Sequence, residues 1–197
     1  MPKSEKKCQE IRDKTRQKII DKSILYFSRN GFSGTKISDL CKYIGIAPGS
    51  LYNYFESKEE LYEEIKTISK SFNLGPMKKL IKLPMGANKK IRLLSQYLIR
   101  QLESDQMFAA QITLGTQELL ADNTNKETNT AYESEAYKFL SIIVEQGQKE
   151  NTVFQGDVMK LVDYYWSVVY LYALKKLFTG NFIMIDADDL SHTLIKE

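Results

Sequence analysis

Apolar residues recur every three or four positions along almost the whole chain, and this spacing most constrains what the chain can fold into. It is the period of an α-helix with one buried face. Residues that interrupt helices are scarce, because only 4 Pro and 10 Gly occur in 197 residues. The sequence therefore predicts a mostly helical protein.

Charge is distributed unevenly along the chain. Residues 1–58 hold 12 Lys and Arg against 6 Asp and Glu, whereas the remainder holds 16 against 19. This asymmetry favours a head that binds a polyanion, attached to a neutral-to-acidic body. A solvated charged surface would explain this charge distribution equally well. Sequence motifs are therefore needed to distinguish the two interpretations.

The sequence argues against several classes of protein. The most apolar run, Tyr164 to Leu174, is much shorter than the roughly 20 residues that a bilayer requires. The basic N-terminus lacks the apolar segment of a secretion signal, so we expect a cytoplasmic protein with no membrane partner. Cys8 and Cys41 fit neither a disulfide framework nor a zinc site. With no phosphate-binding glycine loop and no histidine near a nucleophile, we expect no enzyme, no catalytic residue, no metal and no cofactor.

Local signals divide the first 58 residues into three helices. The first runs from about Ile11 to Arg29. Thr35 is expected to cap a short second helix, and Gly45 to allow a tight turn after it. Pro48 suits the first position of a third helix, which covers Gly49 to Tyr54.

Ser57 and Glu60 have the spacing of a capping box at the start of a fourth helix, which we expect to end before Gly75-Pro76. Residues 73–88 are the least regular stretch and the best candidate for a junction. The predicted division is a three-helix domain at 1–58, a connecting helix at 59–73 and a second domain at 74–197.

Helical periodicity returns after the junction, in residues 91–102 and 108–119, with an interruption expected near Gly115. Residues 122–129 are polar and turn-like, and a long helix is expected to begin near Thr128.

Residues 158–178 predict a helix that is apolar on most sides and must therefore be buried on most sides. In a chain of this size, the second covering surface is expected to be another subunit, so the predicted assembly is a homodimer. The candidate interface residues are Tyr164, Val168, Leu171 and Phe178.

The spacing between Thr35 and Tyr54 is that of a helix–turn–helix, in which one helix braces a second helix that lies in the major groove of DNA. Ala47, Gly49 and Ser50 are small enough to allow a close approach to base edges and phosphates. The pattern therefore predicts binding to double-stranded DNA.

The first third of the chain resembles the signature of the TetR family of bacterial regulators. The motifs that carry the resemblance are Arg16-x-x-Ile19-Ile20, Phe27-x-x-Asn30-Gly31-Phe32, Thr35-x-Ile37-x-Asp39-Leu40-Cys41, Gly45-Ile46 and Gly49-Ser50-Leu51-Tyr52-x-Tyr54-Phe55-x-Ser57-Lys58-Glu59-x-Leu61. The resemblance implies an all-α fold of about nine helices. It also implies an N-terminal three-helix helix–turn–helix domain and a C-terminal helical body for ligand binding and dimerisation.

By the same resemblance, Ser50 and Asn53 would face bases of a palindromic operator, and neighbouring polar groups would contact phosphates. The implied DNA-binding residues are Thr35, Lys36, Pro48, Gly49, Ser50, Tyr52, Asn53, Tyr54 and Lys58. Two positions depart from the family pattern. Cys41 replaces a small alanine and is interpreted as a buried apolar residue rather than a redox sensor, while Ala47 replaces a capping Ser or Thr.

The resemblance further implies a small-molecule effector bound among the middle helices, and a dimer built from two long final helices at about 157–178 and 187–196. The candidate lining residues are Tyr97, Met107, Phe108, Gln111, Tyr137 and Trp166, although for each of them taken singly an ordinary core position is the favoured interpretation. The predicted function is a repressor that the effector releases from its operator. The alternative is a helix–turn–helix protein without a small ligand, controlled by a protein partner or acting architecturally.

Overall fold

The computed structural model describes residues 3–71, 74–121 and 133–196, and within these ranges the chain forms ten helices and no strand. The all-α prediction is confirmed. The helices are α1 Lys3–Asn30, α2 Ile37–Ile44, α3 Pro48–Leu51, α4 Lys58–Ser71, α5 Leu74–Ile81, α6 Ala87–Ser104, α7 Gln106–Ala121, α8 Glu135–Lys149, α9 Val158–Phe178 and α10 Ala187–Ser191. They divide into two compact units, Met1–Lys70 and Ser71–Glu197. None of the described helices is long and apolar enough to cross a membrane.

The N-terminal unit encloses a core to which all four of its helices contribute. Its apolar members, each no more than 3% exposed, are Ile19, Ile20, Ile24, Phe27, Leu40, Cys41, Ile44, Leu51, Phe55, Leu61 and Ile65. α1 begins about two turns before the predicted start at Ile11. The sequence did not indicate this extension, because residues 5–14 are exposed and have no apolar period. Exposed pairs four residues apart, such as Gln9 with Asp13, accompany this helical extension.

Three details of the helix ends differ from prediction. Thr35 is not the cap of α2, because its hydroxyl donates to the carbonyl of Gly31 at 2.6 Å, and Lys36 takes the N-cap position without a side-chain bond. α3 ends at Leu51 rather than Tyr54, because the Leu51 carbonyl accepts the N–H groups of both Tyr54 and Phe55 and closes the helix in a turn.

The third detail is the capping box at α4. The Glu60 N–H donates to Ser57 Oγ at 3.0 Å, as predicted. The carboxylate of Glu60, however, accepts from the N–H of Glu56 rather than from that of Ser57.

In the C-terminal unit, helices continue through two residues that we expected to interrupt them. Pro76 lies in the first turn of α5, where its missing N–H costs no hydrogen bond, so residues 74–81 are helical inside the predicted junction. α7 runs unbroken through Gly115, because packing overrides the small intrinsic cost of one glycine. Ser134 caps α8. The helix start predicted at Thr128 and the polar stretch 122–129 both lie outside the described residues.

α9 is the central helix of this unit and packs on α6, α7 and α8. Its buried side is formed by Val162, Tyr165, Val169, Ala173 and Leu177. The predicted long final helix at 187–196 is wrong, since α10 has only 5 residues. The chain instead turns and pairs with residues 152–154, with the Phe154 N–H donating to the Leu194 carbonyl at 2.9 Å.

Candidate nucleic-acid interface

α2 and α3 form a helix–turn–helix whose inner side is apolar. Leu40, Ile44 and Leu51 are buried beneath the two helices. Gly45 takes the left-handed conformation with φ 83°, which a glycine adopts without strain, and its N–H donates to the Cys41 carbonyl at 2.9 Å. The turn predicted at Gly45 is therefore confirmed, and α2 braces the shorter α3.

The outer side of α3 and the turn after it is open to solvent. Gly49 has nothing within 4 Å of the position where a Cβ would lie, so another molecule can approach the backbone there. Tyr52 is 53% exposed, Asn53 is exposed, and Ser50 and Tyr54 are half-buried. Pro48 begins α3 after the N-cap Ala47, which makes no side-chain capping bond.

Arg12, which the sequence did not single out, lies next to this surface. Its Nη2 donates to the Asn53 carbonyl at 3.4 Å, and its guanidinium carbon lies 6.0 Å from the centre of the Tyr54 ring. Arg12 belongs to the exposed part of α1, where no apolar period marks a packed face, so only the folded chain reveals this contact. It places another positive charge beside the turn that follows α3.

Two of the residues implied as phosphate contacts are engaged within the N-terminal unit. Thr35 is 3% exposed, and its hydroxyl is bonded to Gly31 as described above. The Lys58 ammonium donates to the carbonyls of Phe32 at 3.2 Å and Thr35 at 3.0 Å, and lies 4.1 Å from the centre of the Phe32 ring. Lys36, in contrast, is exposed at the start of α2.

Cys41 lies in the core of the same unit, 1% exposed. Burial raises the pKa of its thiol, which disfavours the reactive thiolate. Its environment is that of a small apolar packing residue.

Four of the six candidate ligand-lining residues form two aromatic pairs in the C-terminal unit. The Tyr97 and Phe108 rings meet edge-to-face at 6.2 Å between centroids, while Met107 is half-buried and Gln111 buried on α7. The Tyr137 and Trp166 rings are stacked at 6.5 Å.

Two polar atoms near the middle of this unit are enclosed without a partner. Trp166 Nε1 and Thr113 Oγ1 have no hydrogen bond within the described ranges. Tyr137, which stacks on Trp166, instead donates its hydroxyl to Asp163 at 2.9 Å. Because buried polar groups are normally paired, an orphaned indole N–H indicates a position where a further acceptor would be stabilised.

An apolar stripe follows the outer side of α9. Tyr164, Leu171 and Phe178 are spaced seven residues apart and are 60%, 48% and 57% exposed, while Val168 between them is half-buried. Residues at this spacing lie on one side of a helix. Three of the four candidate interface residues are thus open to solvent in the single chain.

Comparison with known sequences gives a family match that lies within the N-terminal unit and partial matches to individual regulators. Residues 19–65 match the tetR family of bacterial regulatory proteins. Over 58 residues the chain is 40% identical to IcaR of Staphylococcus epidermidis, described as an HTH-type negative transcriptional regulator of the biofilm operon icaADBC. The aligned segment covers 29% of this chain and 30% of that relative.

Solved structures match over almost the whole length. A regulator of the TetR family from Agrobacterium tumefaciens aligns with a TM-score of 0.70 at 14% identity, over 93% of this chain and 99% of that one. AibR, solved in complex with isovaleryl coenzyme A and operator DNA, aligns with a TM-score of 0.65 at 11% identity, over 90% and 94% of the two chains. At these identities the likeness concerns the fold.

Proposed function

Because the chain belongs to the TetR family of bacterial regulatory proteins, we propose that it is a transcriptional repressor that binds a palindromic operator as a homodimer. A small-molecule effector releases it from the DNA. The observation that carries the proposal is the exposed outer side of α3, held on the brace of α2. In this assignment residues 1–58 bind DNA, residues 59–73 connect, and residues 74–197 bind the effector and the second subunit.

On operator DNA, α3 lies in the major groove with its N-terminal residues at the bases. Ser50 and Asn53 read base edges, for which an amide such as Asn53 is suited to adenine. Tyr52, Tyr54 and the exposed Lys36 contact phosphates. Pro48 and Gly49 allow the backbone to come close.

The dimer forms through the stripe on α9. Tyr164, Leu171 and Phe178 expose apolar surface that a second copy of the chain buries by a two-fold contact. A two-fold dimer presents two copies of α3 to half-sites about 34 Å apart, which is the reason for expecting a palindrome.

The effector binds in the C-terminal unit. Among the described residues, Trp166 Nε1 and Thr113 Oγ1 have no hydrogen-bond partner, which supports this proposal, since a bound molecule with hydrogen-bond acceptors would supply one. AibR is a regulator of this fold that was solved with both a small molecule and operator DNA. An effector that binds better to the form with misplaced α3 helices lowers operator affinity by shifting populations.

The experiment that tests the function is selection of binding sites from random duplex DNA by the purified full chain at physiological salt. A two-fold palindrome is the expected result. Recovery of no shared motif would overturn the proposal of a specific repressor and favour an architectural or partner-dependent DNA-binding protein.

Effector binding has a natural probe, because Trp166 is the only tryptophan in the chain. Titration of candidate small molecules should change its fluorescence in parallel with release of the selected operator. A compound that releases the DNA without affecting Trp166 would place the effector elsewhere.

A further inference from the structure

Arg12 lies at the edge of the surface that α3 and the turn after it expose. Its Nη2 donates to the Asn53 carbonyl at 3.4 Å, and its guanidinium carbon lies 6.0 Å from the centre of the Tyr54 ring. Arg12 itself is exposed. Because both contacts belong to the turn after α3, they hold the guanidinium beside residues that contact DNA in the proposed function.

These two contacts leave most of the guanidinium unused. A guanidinium has five N–H donors in one plane, and the Asn53 carbonyl accepts from one of its three nitrogens. The Tyr54 ring, at the outer limit of a cation–π interaction, accepts no N–H group in a hydrogen bond. Planar donors of this kind match two oxygens of one phosphate. A phosphate can therefore bind Arg12 without displacing either contact.

The charge of Arg12 is not compensated within the part of the chain that the structure describes. Arg16, one turn further along α1, pairs with Glu64, and Lys66 on α4 pairs with Glu63. No carboxylate among the described residues lies within ion-pair distance of Arg12. Arg12 is thus a surface cation without an internal anion, unlike its neighbour Arg16.

We propose that Arg12 binds a phosphate of the DNA backbone and so extends the interface from the turn after α3 onto α1. An exposed cation alone is ordinarily solvated. Arg12 differs because Asn53 and Tyr54 hold it in place beside the proposed interface. Arg12 precedes residues 19–65, which match the family, so the inference concerns a residue outside the matched segment. It rests on the proposed function and deepens it, by adding a contact that positions the protein on the backbone without reading bases.

The test is the salt dependence of DNA binding by the full chain carrying Arg12→Gln. Each lost phosphate contact lowers the slope of log affinity against log salt by about 0.9, so the proposed dimer, with two copies of Arg12, should lose about 1.8. The variant should bind more weakly at low salt, and its deficit should shrink by about tenfold between about 50 and 200 mM salt. Arg12→Lys retains the charge and should keep most of the wild-type slope.

Lys14→Gln is the matched control. Lys14 is exposed two residues further along α1, and at about 3.6 residues per turn it lies on the opposite side of the helix. Its slope should equal that of the wild-type chain. Equal reductions in Arg12→Gln and Lys14→Gln would show an effect of net charge alone and would overturn the proposal. Weaker binding of Arg12→Gln at an unchanged slope would also overturn it, since Arg12 would then act only by holding the Asn53 carbonyl.

A second measurement locates the phosphate. Single phosphates of the selected operator are replaced by uncharged methylphosphonates, and binding by the wild-type chain is compared with binding by Arg12→Gln. At one position in each half-site, the replacement should weaken the wild-type chain but not the variant. Equal sensitivity of the two proteins at every position would contradict the contact.

Duplex DNA of random sequence separates this inference from the proposed function. Phosphate contacts do not depend on base sequence, so the slope should fall for Arg12→Gln on random duplexes as well as on the operator. If the slope falls but the site selection recovers no palindrome, the proposed specific repressor is wrong and the contact stands. If a palindrome is recovered and the slope is unchanged on both DNAs, the contact is wrong and the proposed function stands.

Discussion

Arg16 on α1 and Glu64 on α4 form a bidentate ion pair that joins the helix before the helix–turn–helix to the helix after it. Arg16 Nη1 lies 2.7 Å from Glu64 Oε1, and Nη2 contacts Oε2. The hydrogen bonds to Glu64 raise the pKa of Arg16 above its ordinary value. The guanidinium also packs 4.8 Å from the centre of the Phe55 ring, at the end of the turn after α3.

Glu64→Gln should destabilise the protein modestly, by about 1 kcal/mol or less, because the two side chains are 40% and 30% exposed and water screens the pair. The measurement is the midpoint of urea unfolding at neutral pH. Glu63→Gln is the control, since Glu63 is 68% exposed and pairs with a neighbour on its own helix, Lys66. Equal losses of stability in the two variants would mean that the ion pair between α1 and α4 does not contribute to the stability of the protein.

Tyr165→Phe should destabilise the C-terminal unit by about 1–3 kcal/mol, because it leaves a buried hydroxyl without its partner. Tyr165 Oη and Ser95 Oγ lie 3.0 Å apart, and both residues are 0% exposed. Burial raises the pKa of the Tyr165 hydroxyl above its ordinary value. Unfolding by denaturant, monitored by circular dichroism, measures the loss.

The double variant Tyr165→Phe, Ser95→Ala tests whether that loss comes from the hydrogen bond. The changes in unfolding free energy caused by substitutions at two contacting residues do not add, and here the second substitution removes the unpaired group that the first creates. We expect the double variant to lose less than the sum of the single variants. Strict additivity would show that the two hydroxyls are stabilised independently.

Glu150→Gln should destabilise the protein near neutral pH and have less effect in acid. Glu150 Oε2 accepts the Ala87 N–H at 2.7 Å, and this bond, followed by the one from Gln146 Nε2, lowers the pKa of the carboxyl in the folded state. A lowered pKa means that the contribution to stability is present above the ordinary value of 4.5 and is lost as the pH falls through the lowered one. Melting temperatures of both proteins as a function of pH test this. A difference that does not vary with pH would contradict it.

Leu171→Glu should convert the proposed dimer to a monomer, since it places a charge in the middle of the exposed stripe on α9. Sedimentation velocity measures the assembly state. Ile142→Glu on α8 is the matched control, because Ile142 is 47% exposed and Leu171 is 48% exposed. Intact dimers of Leu171→Glu would place the interface elsewhere.

Asn53→Ala should change which bases are preferred at one position of each half-site, with a loss of about 1–3 kcal/mol for the preferred base. Asn53 is exposed at the turn after α3. Binding to a panel of operators with single base changes measures the preference. If every sequence in the panel weakens equally, Asn53 contacts the backbone instead of a base.

Local rules account for the features that the sequence predicted correctly. A helix needs an apolar period and a defined end, and both are set by neighbouring residues, so α2, the left-handed Gly45 and the start of α3 at Pro48 were predictable. The core residues of the N-terminal unit follow from the same period. The exposed N-terminal part of α1 was missed because it has no apolar side.

The partners of polar side chains depended on the tertiary structure. Thr35 has the residue type of a cap, yet its hydroxyl bonds to Gly31, and Lys58 has the residue type of a phosphate ligand, yet it bonds to carbonyls 26 and 23 residues earlier in the chain. In the same way, α7 stays helical at Gly115 because of its packing. Residues 194–196 pair with residues 152–154 and so do not continue α10 as a helix. Periodicity determines where helices form, because it depends on neighbours a few residues apart. Which donor meets which acceptor is decided only when distant segments fold together, because a hydrogen bond requires its two atoms to lie within about 3 Å.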